Sequence, residues 1–341
     1  MREIQLSKIV DVYDNMRRPL STMVRSTMPG KYPYYSANGI IDSINRFIFS
    51  GEYILVAEDG SVRSSDGKPI IKLTKADERF WVSNHAHVLK AKGGILNKYL
   101  YYNLSQVNVD QIITGAVQLK VSQENLLKLK VKLHSFDEQR HIVDIIGSVD
   151  DLIENYEERI SFLQKISSYL YLQLIEHSRE TSYLGNFIKI ETGSMNLDEN
   201  DPNGRYPFYT RNIGTFYSNK YTNEGKGAVV AGEGNFTPKF VNGKFGLHQR
   251  AYFIQPSTTK LGSEVIYEII LSNKKYLESV AVGSTVKSLR RFCFEQMPFF
   301  IDADYFCLNQ ILEILFGEIE NLKKRKSILL NQKSILLDKY F

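Results

Sequence analysis

The sequence has few cysteines and no long apolar run. Of its 341 residues only two are cysteines, Cys293 and Cys307, and neither stands in a metal-ligand spacing. A disulfide-stabilised scaffold is therefore excluded, and we expect a reducing compartment, the cytoplasm. No uninterrupted apolar stretch is long enough to span a bilayer, and we find no charged-then-apolar leader, so we expect no membrane association.

Motifs of catalytic sites are missing as well. No glycine-rich loop ends in Gly-Lys-Ser/Thr, which excludes ATP binding by a Walker loop. The Asn/Asp-Pro-Pro-Tyr/Phe tetrad of amino-methyltransferases is absent, and Tyr32-Pro33-Tyr34 resembles it only superficially. His85 and His87 have no third ligand of suitable type nearby, so we expect no metal there. Glu58-Asp59 followed by lysines is a weak nuclease pattern, and we expect neither catalytic residues nor a cofactor in this chain.

Charge is unevenly distributed, although the net charge is only +5. Residues 1–134 carry 19 lysines and arginines against 12 acidic residues, and residues 179–300 carry 15 against 11. Residues 135–178 carry 3 against 9, and residues 301–341 carry 6 against 6. The basic excess thus lies in two blocks outside the helical segments, where it could meet a phosphate backbone.

An internal repeat is the clearest feature of the chain. Three blocks occur twice in the same order, at a shift of 174 residues for the first two and 166 for the third: Lys31–Asn38 and Arg205–Asn212, Leu55–Gly60 and Val229–Gly234, Ile153–Asn155 and Ile319–Asn321. Matches in the same order with a small indel between them indicate a duplication. The short apolar runs 53–57 and 228–231 end in acidic-Gly turns and predict buried strands.

Each copy then changes to a helical pattern. Apolar residues follow a heptad seam from residue 142 to 163, and the second copy repeats the seam, although Lys326 interrupts it where Ile160 stands in the first. Ser135 and Glu138 form a capping box at the start of the first helix. We predict that these helices pack on each other through Ile142, Ile146, Val149, Ile153, Tyr156, Leu312, Leu315, Ile319 and Leu322.

Both copies contain the same order of residue types. An aromatic residue is followed by proline, two aromatic residues and a hydroxyl residue, and an asparagine comes two residues later. Such loops supply hydrogen bonds to base edges. The copies agree at Asn38 and Asn212 but differ at Ala37 and Arg211, as expected if each reads a different sequence. For the tyrosines, core packing is the alternative. We predict that DNA lies near Tyr35, Ser36, Asn38, Tyr209, Thr210, Arg211 and Asn212, with Gln118, Lys120, Lys287 and Arg290 as further candidates.

The order of these features resembles the specificity subunits of type I restriction-modification systems over essentially the whole chain. Glu138–Val143, continuing to Ile153–Asn155, resembles the Glu-Gln start of that family's central spacer helix. Thr114–Gln118 resembles the Gly-centred segment before the helix, with Gly283–Lys287 as its counterpart. The prolines that the family often places before the Glu-Gln pair are missing here, where His134-Ser135-Phe136 stand.

The resemblance implies an α+β fold with two pseudo-symmetric globular DNA-recognition domains, separated by long helices that form an antiparallel coiled coil. The implied division is a first target recognition domain at 1–134, a central spacer helix at 135–178, a second target recognition domain at 179–300 and a C-terminal spacer helix at 301–341. The helices would hold the two domains at a fixed separation, so that each reads one half of an asymmetric double-stranded DNA target.

Partners and cofactors are also implied by the resemblance. Two methyltransferase subunits would bind this chain, and restriction/translocase subunits would join through the complex. S-adenosylmethionine, ATP and magnesium would belong to those partners. Two alternatives remain: a stand-alone restriction or modification enzyme with a related recognition module, and a coiled-coil assembly scaffold. The DNA target itself is not predicted, because the reading loops are the part that varies in this family.

Overall fold

The chain forms two compact units. The computed structural model describes residues 2–64, 66–115, 119–212, 214 and 216–341. The first unit contains Met1–Glu154 and Ser327–Phe341, and the second contains Asn155–Lys326. Gln118, one of the predicted DNA contacts, lies outside the described residues. Within these ranges, no helix is both long enough and apolar enough to cross a membrane.

Short strands dominate the first unit. They are, in chain order, β1 (Arg2–Gln5), β2 (Val10–Val12), β3 (Pro29–Ser36), β4 (Gly39–Ile44), β5 (Phe49–Ser50), β6 (Ile54–Ala57), β7 (Ile71–Leu73), β8 (Arg79–Val82), β9 (Ala86–Ala91), β10 (Ile113–Thr114), β11 (Lys120–Val121) and β12 (Lys130–Leu133). The helices that begin in this unit are α1 (Thr22–Ser26), α2 (Asn97–Leu104), α3 (Gln123–Lys128) and α4 (Phe136–Ile175). Helix α4 continues into the second unit.

Two four-stranded sheets, in the orders β2-β9-β6-β7 and β4-β3-β8-β5, organise the first unit. All four residues of β6 are buried, which confirms the buried strand predicted for residues 53–57. A strand that is covered on both faces reads as a continuous apolar run. Its neighbours β7 and β9 both pair with it antiparallel, so β6 is a central strand of its sheet.

Longer strands occur in the second unit. They are β13 (Thr181–Tyr183), β14 (Ile188–Thr192), β15 (Tyr206–Tyr209), β16 (Phe216–Ser218), β17 (Asn223–Ala231), β18 (Lys239–Leu247), β19 (Ala251–Pro256) and β20 (Pro298–Phe300). The helices are α5 (Ser263–Ser272), α6 (Lys274–Val280), α7 (Arg291–Glu295) and α8 (Tyr305–Tyr340), of which α8 ends in the first unit.

The sheets of the two units share one strand order, which confirms the duplication. The second unit has one six-stranded sheet, β14-β19-β17-β18-β15-β16. Strand β17 takes the place of β5 and β6 together, and β18 takes the place of β7 and β8. When each of these pairs is counted as one strand, the strand order of the first unit is β2-β9-(β5,β6)-(β7,β8)-β3-β4. This order matches that of the six-stranded sheet in the second unit. The parallel pairing of β3 with β8 also returns, as β15 with β18.

The long helices α4 and α8 pack antiparallel within the first unit. The predicted capping box is confirmed, because the Ser135 N–H donates to Glu138 and the Glu138 N–H donates to the Ser135 hydroxyl. Near the start of α4, Ile142 and Ile146 are buried in one cluster with Leu337 near the end of α8. Two turns on, Asp150 of α4 forms an ion pair of 2.6 Å with Lys333 of α8, as well as accepting a hydrogen bond from the Tyr102 hydroxyl.

The same antiparallel pairing continues in the second unit. Tyr171 of α4 is buried in one core cluster with Leu308, Leu312 and Phe316 of α8. Lys326, the residue that interrupts the heptad seam, forms an ion pair of 2.9 Å with Glu157 of α4. Of the other predicted seam residues, Ile153 in the first unit and Ile319 and Leu322 in the second are buried. Val149 in the first unit and Tyr156 and Leu315 in the second are partly buried. The α+β fold with long helices is therefore as predicted, whereas the division into four domains stays a prediction.

A buried carboxyl group on α5 leads to a prediction about stability. Glu268 is 2% exposed, and its carboxylate accepts hydrogen bonds from the Ser167 and Ser168 hydroxyls of α4. Burial raises the pKa of this carboxyl above its usual value, and the two hydroxyls offset the rise only in part. The charged form therefore costs stability, and this cost is absent in acid and grows as pH rises towards the pKa of the folded state.

We expect Glu268→Gln to raise the midpoint of thermal unfolding at pH 8 and to leave it unchanged at pH 4. Each kcal/mol of change in the free energy of unfolding shifts the midpoint by about 2–4 °C in a domain of this size. Glu264→Gln is the matched control on the same helix, because Glu264 is equally buried but lies 2.5 Å from the Lys226 ammonium. That control should lower the midpoint at pH 8. Equal destabilisation by both variants would contradict the assignment of a penalty to Glu268.

Candidate nucleic-acid interface

A cavity of about 230 Å³ opens in the first unit beside the hairpin of β3 and β4. Buried Leu55 and Ala57 of β6 line it, together with exposed Asn38 at the tip of the hairpin and exposed Lys72 of β7. The hairpin turns at Gly39, whose φ of +99° is strained for any residue with a side chain. This turn directs the segment that the sequence singled out towards the central strand.

A second cavity, of about 260 Å³, opens in the second unit. It lies where the chain leaves β15, and its apolar lining is Val229 and Ala231 of β17. The polar lining consists of Thr210, Arg211, Asn212, Asn235, Thr237 and Lys239. Three of these six, residues 210–212, are in the segment predicted to lie near DNA.

The main chain around the second cavity is held by three hydrogen bonds of ordinary length. The Thr210 hydroxyl accepts from the Asn212 N–H at 3.1 Å. The Lys239 ammonium donates to the carbonyl oxygens of Asn212 and Gly214, at 2.9 and 3.0 Å. Burial lowers the pKa of Lys239 below its usual value. Lys239 is therefore a positioning residue that fixes the loop carrying Arg211.

The two cavities occupy equivalent places in the duplicated fold. In the first unit Leu55 of β6 faces Lys72 of β7 across the strand pair, and in the second Val229 of β17 faces Lys239 of β18. Leu55 and Val229 are also equivalent in the sequence repeat. Each cavity therefore combines an apolar lining from the central strand, a lysine from the next strand and the polar end of the aromatic strand.

An ionic cluster lies directly after β6, at Glu58. The Arg17 guanidinium lies 2.7 Å from the Glu58 carboxylate, the Lys120 ammonium 3.2 Å and the His87 ring 3.7 Å. Burial by itself would raise the pKa of Glu58, but Arg17, His87 and Lys120 together hold it below its usual value. Glu58 is therefore ionised at neutral pH and balances the positive charge around it.

Asp14, Glu58 and His87 come within 4.8 Å of one another through their potential metal-ligand atoms. The expectation that no further ligand lies near the histidines is therefore wrong. Pairing of β9 with β2 and β6 brings together residues that are far apart in the sequence. Both His87 nitrogens are engaged, Nε2 with the Val121 carbonyl at 2.8 Å and Nδ1 with Asp14 at 2.6 Å. With Arg17 on the carboxylates as well, this group fits an internal ion cluster better than a metal site.

A smaller ionic cluster lies at the corresponding turn of the second unit, directly after β17. Glu233 accepts from the Arg250 guanidinium through both carboxylate oxygens, at 2.7 and 2.8 Å. Arg211 reaches the same carboxylate at 3.4 Å. These hydrogen bonds and charges, those of Arg250 first, hold the pKa of Glu233 below its usual value. Arg250 is thus the principal partner of Glu233, and Arg211, which is half exposed, is held less tightly.

The predicted residues fall into three groups in the structure. Ser36, Asn38, Thr210, Arg211 and Asn212 line the two cavities. Among the tyrosines, Tyr35 is 2% exposed, and its hydroxyl donates to Glu78 at 2.6 Å, whereas Tyr209 packs on Phe245. Both tyrosines therefore pack inside their units, while Tyr35 also lines the first cavity, and their contact with DNA stays a prediction. The third group, which is exposed but does not line either cavity, is Lys120, Lys287 and Arg290.

Four polar side chains of the cavity linings were not predicted as DNA contacts from the sequence: Lys72, Asn235, Thr237 and Lys239. The two lysines are equivalent in the fold, but their separation of 167 residues differs from the 174 of the repeat blocks around them. The connection from β17 to β18 is shorter than the connection from β6 to β7, so a comparison without gaps does not align the two lysines. Asn235 and Thr237 follow the acidic-Gly turn of the second copy. Their position directly after this turn is the feature of the sequence that could have identified them as lining residues.

Comparison with known proteins finds relatives that are named as type I restriction enzyme specificity subunits. A protein of Haemophilus influenzae named as a putative type I restriction enzyme specificity subunit is 29% identical over 147 residues, which are 43% of this chain and 37% of that protein. The EcoDI specificity subunit of Escherichia coli is 28% identical over 148 residues, 43% of this chain and 33% of that one. The chain thus aligns with about a third of the length of these relatives.

A solved structure and a family model complete the comparison. The crystal structure of a type I restriction-modification S subunit from M. genitalium matches with a TM-score of 0.61 at 16% identity, over 100% of this chain and 96% of that one, and so shares the fold. The family model described as type I restriction modification DNA specificity domain matches twice, at residues 1–165 and 177–301. Because these two matches cover most of the sequence and one falls on each copy of the repeat, the chain belongs to the type I restriction modification DNA specificity domain family.

Proposed function

We propose that this chain is the specificity subunit of a type I restriction-modification complex and reads a bipartite, asymmetric double-stranded DNA target. Each globular unit would read one half of the target. The observation that carries this proposal is the pair of equivalent cavities. Both have an apolar lining, a lysine, an asparagine and a hydroxyl side chain, whereas Arg211, Asn235 and Thr237 line only the second. A common frame with different contacting groups is what two different half-sites require.

Methyl transfer and cleavage belong to partner subunits in this proposal. S-adenosylmethionine, ATP and magnesium would bind those partners, and restriction/translocase subunits would join through the complex. The clearest candidate for a catalytic centre among the described residues is Asp14, Glu58 and His87. Its carboxylates already pair with Arg17 and Lys120, which argues against a stand-alone enzyme. The cytoplasm is the compartment that suits chromosomal DNA as a substrate and the two unpaired cysteines, Cys293 and Cys307.

Two methyltransferase subunits are the expected partners of the long helices. At the shift of 166 residues that relates the helices, Phe162 of α4 corresponds to Ile328 of α8, and Tyr169 corresponds to Ile335. These four side chains are 64%, 59%, 60% and 60% exposed. Residues seven apart lie on the same helix face, so each helix presents a matching exposed apolar stripe. Two equivalent stripes suit two copies of one partner.

The test is co-expression with candidate methyltransferase subunits, followed by native mass spectrometry and mapping of methylated adenines in host DNA. We expect two bound methyltransferase subunits and a two-part methylated motif. Combining Phe162→Ser with Tyr169→Ser should remove one of these subunits, as should Ile328→Ser with Ile335→Ser, because each pair disrupts one stripe. Met23→Ser, at an apolar side chain that is 80% exposed outside the helices, is the matched control and should keep both.

Four outcomes would contradict the proposal. Failure to co-purify with methyltransferase subunits would remove the partner, and retention of two subunits by both pairs of variants would remove the docking faces. Methylation or cleavage of DNA by the purified chain alone, given magnesium and S-adenosylmethionine, would support an enzyme instead. DNA binding without a salt dependence would favour an assembly scaffold, since phosphate contacts release counterions.

A further inference from the structure

The two cavities differ most at one position of the repeat. Ala37 stands in the first copy where Arg211 stands in the second, and each lines its cavity or the turn beside it. A residue that served only the fold would face the same packing in both copies and would not need to change from a methyl group to a guanidinium. The difference therefore concerns what enters the cavity.

Arg211 is placed so that its guanidinium can leave its protein contact. Its distance of 3.4 Å to Glu233 is long for an ion pair, and Arg250 already occupies both oxygens of that carboxylate. The side chain is 45% exposed. Its main chain, in contrast, lies between Thr210 and Asn212, which Lys239 and the Thr210 hydroxyl hold in place. A fixed backbone with an exposed, weakly engaged guanidinium is suited to contact an external acceptor.

The lining of the second cavity fits the edge of a nucleobase. Val229 and Ala231 supply apolar surface, and Asn212, Asn235 and Thr237 supply both donors and acceptors. The charged side chains that line it are Arg211 and Lys239, and its described lining contains no carboxylate. At about 260 Å³ the cavity is several times the roughly 30 Å³ that one water occupies in the liquid, so it can admit more than a methyl group.

We infer that the cavity of the second unit is a base-reading site, and that Arg211 makes it select guanine at one position of its half-site. The guanidinium fork donates two hydrogen bonds that match O6 and N7 of guanine, a pattern that no other base offers in the major groove. The first cavity, with Ala37 at this position, reads its half-site without such a fork. This inference rests on the proposed function, because it names the base that one of the two recognition domains selects.

The test uses the full chain in complex with its co-purified methyltransferase subunits. The methylated motif is mapped for the native chain, for Arg211→Ala and for Arg211→Gln. We expect Arg211→Ala to reduce discrimination for guanine at one position of one half-site by about 10- to 100-fold. Arg211→Gln should shift the preference at that position towards adenine, because the glutamine amide matches N6 and N7 of adenine. The other half-site should stay unchanged in both variants.

Arg205→Ala is the matched control, since Arg205 is an exposed arginine of the same unit that does not line the cavity. It should leave the motif as it is. Ala37→Arg provides the reciprocal test and should change the opposite half-site from the one that Arg211→Ala changes. Thermal unfolding of each variant checks that the exposed substitutions leave the fold intact.

The outcomes separate this inference from the proposed function. If the native complex methylates no bipartite motif, the proposed function fails and the inference falls with it. If the native complex methylates a bipartite motif that Arg211→Ala and Arg211→Gln leave unchanged, the proposed function stands and the inference is overturned. A uniform loss at every sequence would also overturn it, because that result identifies Arg211 as a phosphate contact.

Discussion

Replacing Arg17 with alanine should lower the free energy of unfolding by about 3–5 kcal/mol, the cost of removing one partner from a buried charge cluster. The Arg17 guanidinium is 14% exposed, lies 2.7 Å from Glu58 and donates to the Ala86 carbonyl at 2.9 Å. Without it, Glu58 and Asp14 remain beside a single histidine and Lys120. Urea-induced unfolding, followed by tryptophan fluorescence of Trp81 in the same unit, measures the loss.

Two further measurements make the Arg17 prediction specific. Arg18→Ala, the exposed neighbour, should leave the free energy of unfolding nearly unchanged. The double variant with Glu58→Gln should lose less than Arg17→Ala does, because the orphaned charge is then gone. Equal losses in the single and double variants would show that Arg17 acts through packing rather than through its charge.

The pH dependence follows from the lowered pKa of Glu58. A carboxyl whose pKa is lower in the folded state contributes stability above its unfolded value, which is near 4.5, and this contribution disappears as pH falls through the folded value. Without Arg17, the folded-state pKa of Glu58 should rise from this lowered value, because Arg17 is the first of the groups that lower it. The difference between the native chain and Arg17→Ala should therefore be largest at pH 7 and should shrink as pH falls from the Glu58 pKa of the folded variant to the lower Glu58 pKa of the folded native chain.

Replacing Ile146 with alanine should lower the free energy of unfolding by about 2–5 kcal/mol. Ile146 of α4 is fully buried in a cluster with Ile142, Tyr99, Tyr102 and Leu337. The cluster joins α4, α8 and α2 inside the first unit, so the cavity left by the substitution would loosen three helices together. The same unfolding experiment measures the effect.

Leu152→Ala is the control for the Ile146 prediction. Leu152 lies on the same helix, but 46% of it is exposed, so its truncation removes little buried surface. Its effect on unfolding should be several-fold smaller. Comparable losses from Leu152→Ala and Ile146→Ala would mean that the helix pair is held by its exposed face as much as by its seam.

Much of the candidate site could be predicted from local patterns. The hairpin segment around Asn38 and its repeat around Asn212 were recognised because polar residues of turn type follow an aromatic strand. The sequence leaves the roles of the two tyrosines open, and only the structure shows what each of them contacts inside its unit. Tyr35 packs on Phe80 and bonds to Glu78, which are more than forty residues away in the sequence. No local pattern contains that information.

The remaining cavity residues depend on strand register. Lys72 and Lys239 become equivalent only because β7 pairs with β6 and β18 pairs with β17 in matching register. A change of register by one residue would move each lysine to the opposite face of its strand. The ion cluster has the same origin, since Arg17, Glu58 and His87 come from three segments that neighbouring strands bring together.

The sequence by itself determined the duplication, the buried central strands, the capping box and the two heptad-patterned helices. These features depend on residues that are close along the chain, where periodicity and cap chemistry act. Tertiary structure alone decided that the two copies form equivalent cavities, that each cavity receives a lysine and that Arg250 rather than Arg211 is the principal partner of Glu233. The physical reason is that these features need contacts between distant segments, and pairing of strands, rather than local preference, sets such contacts.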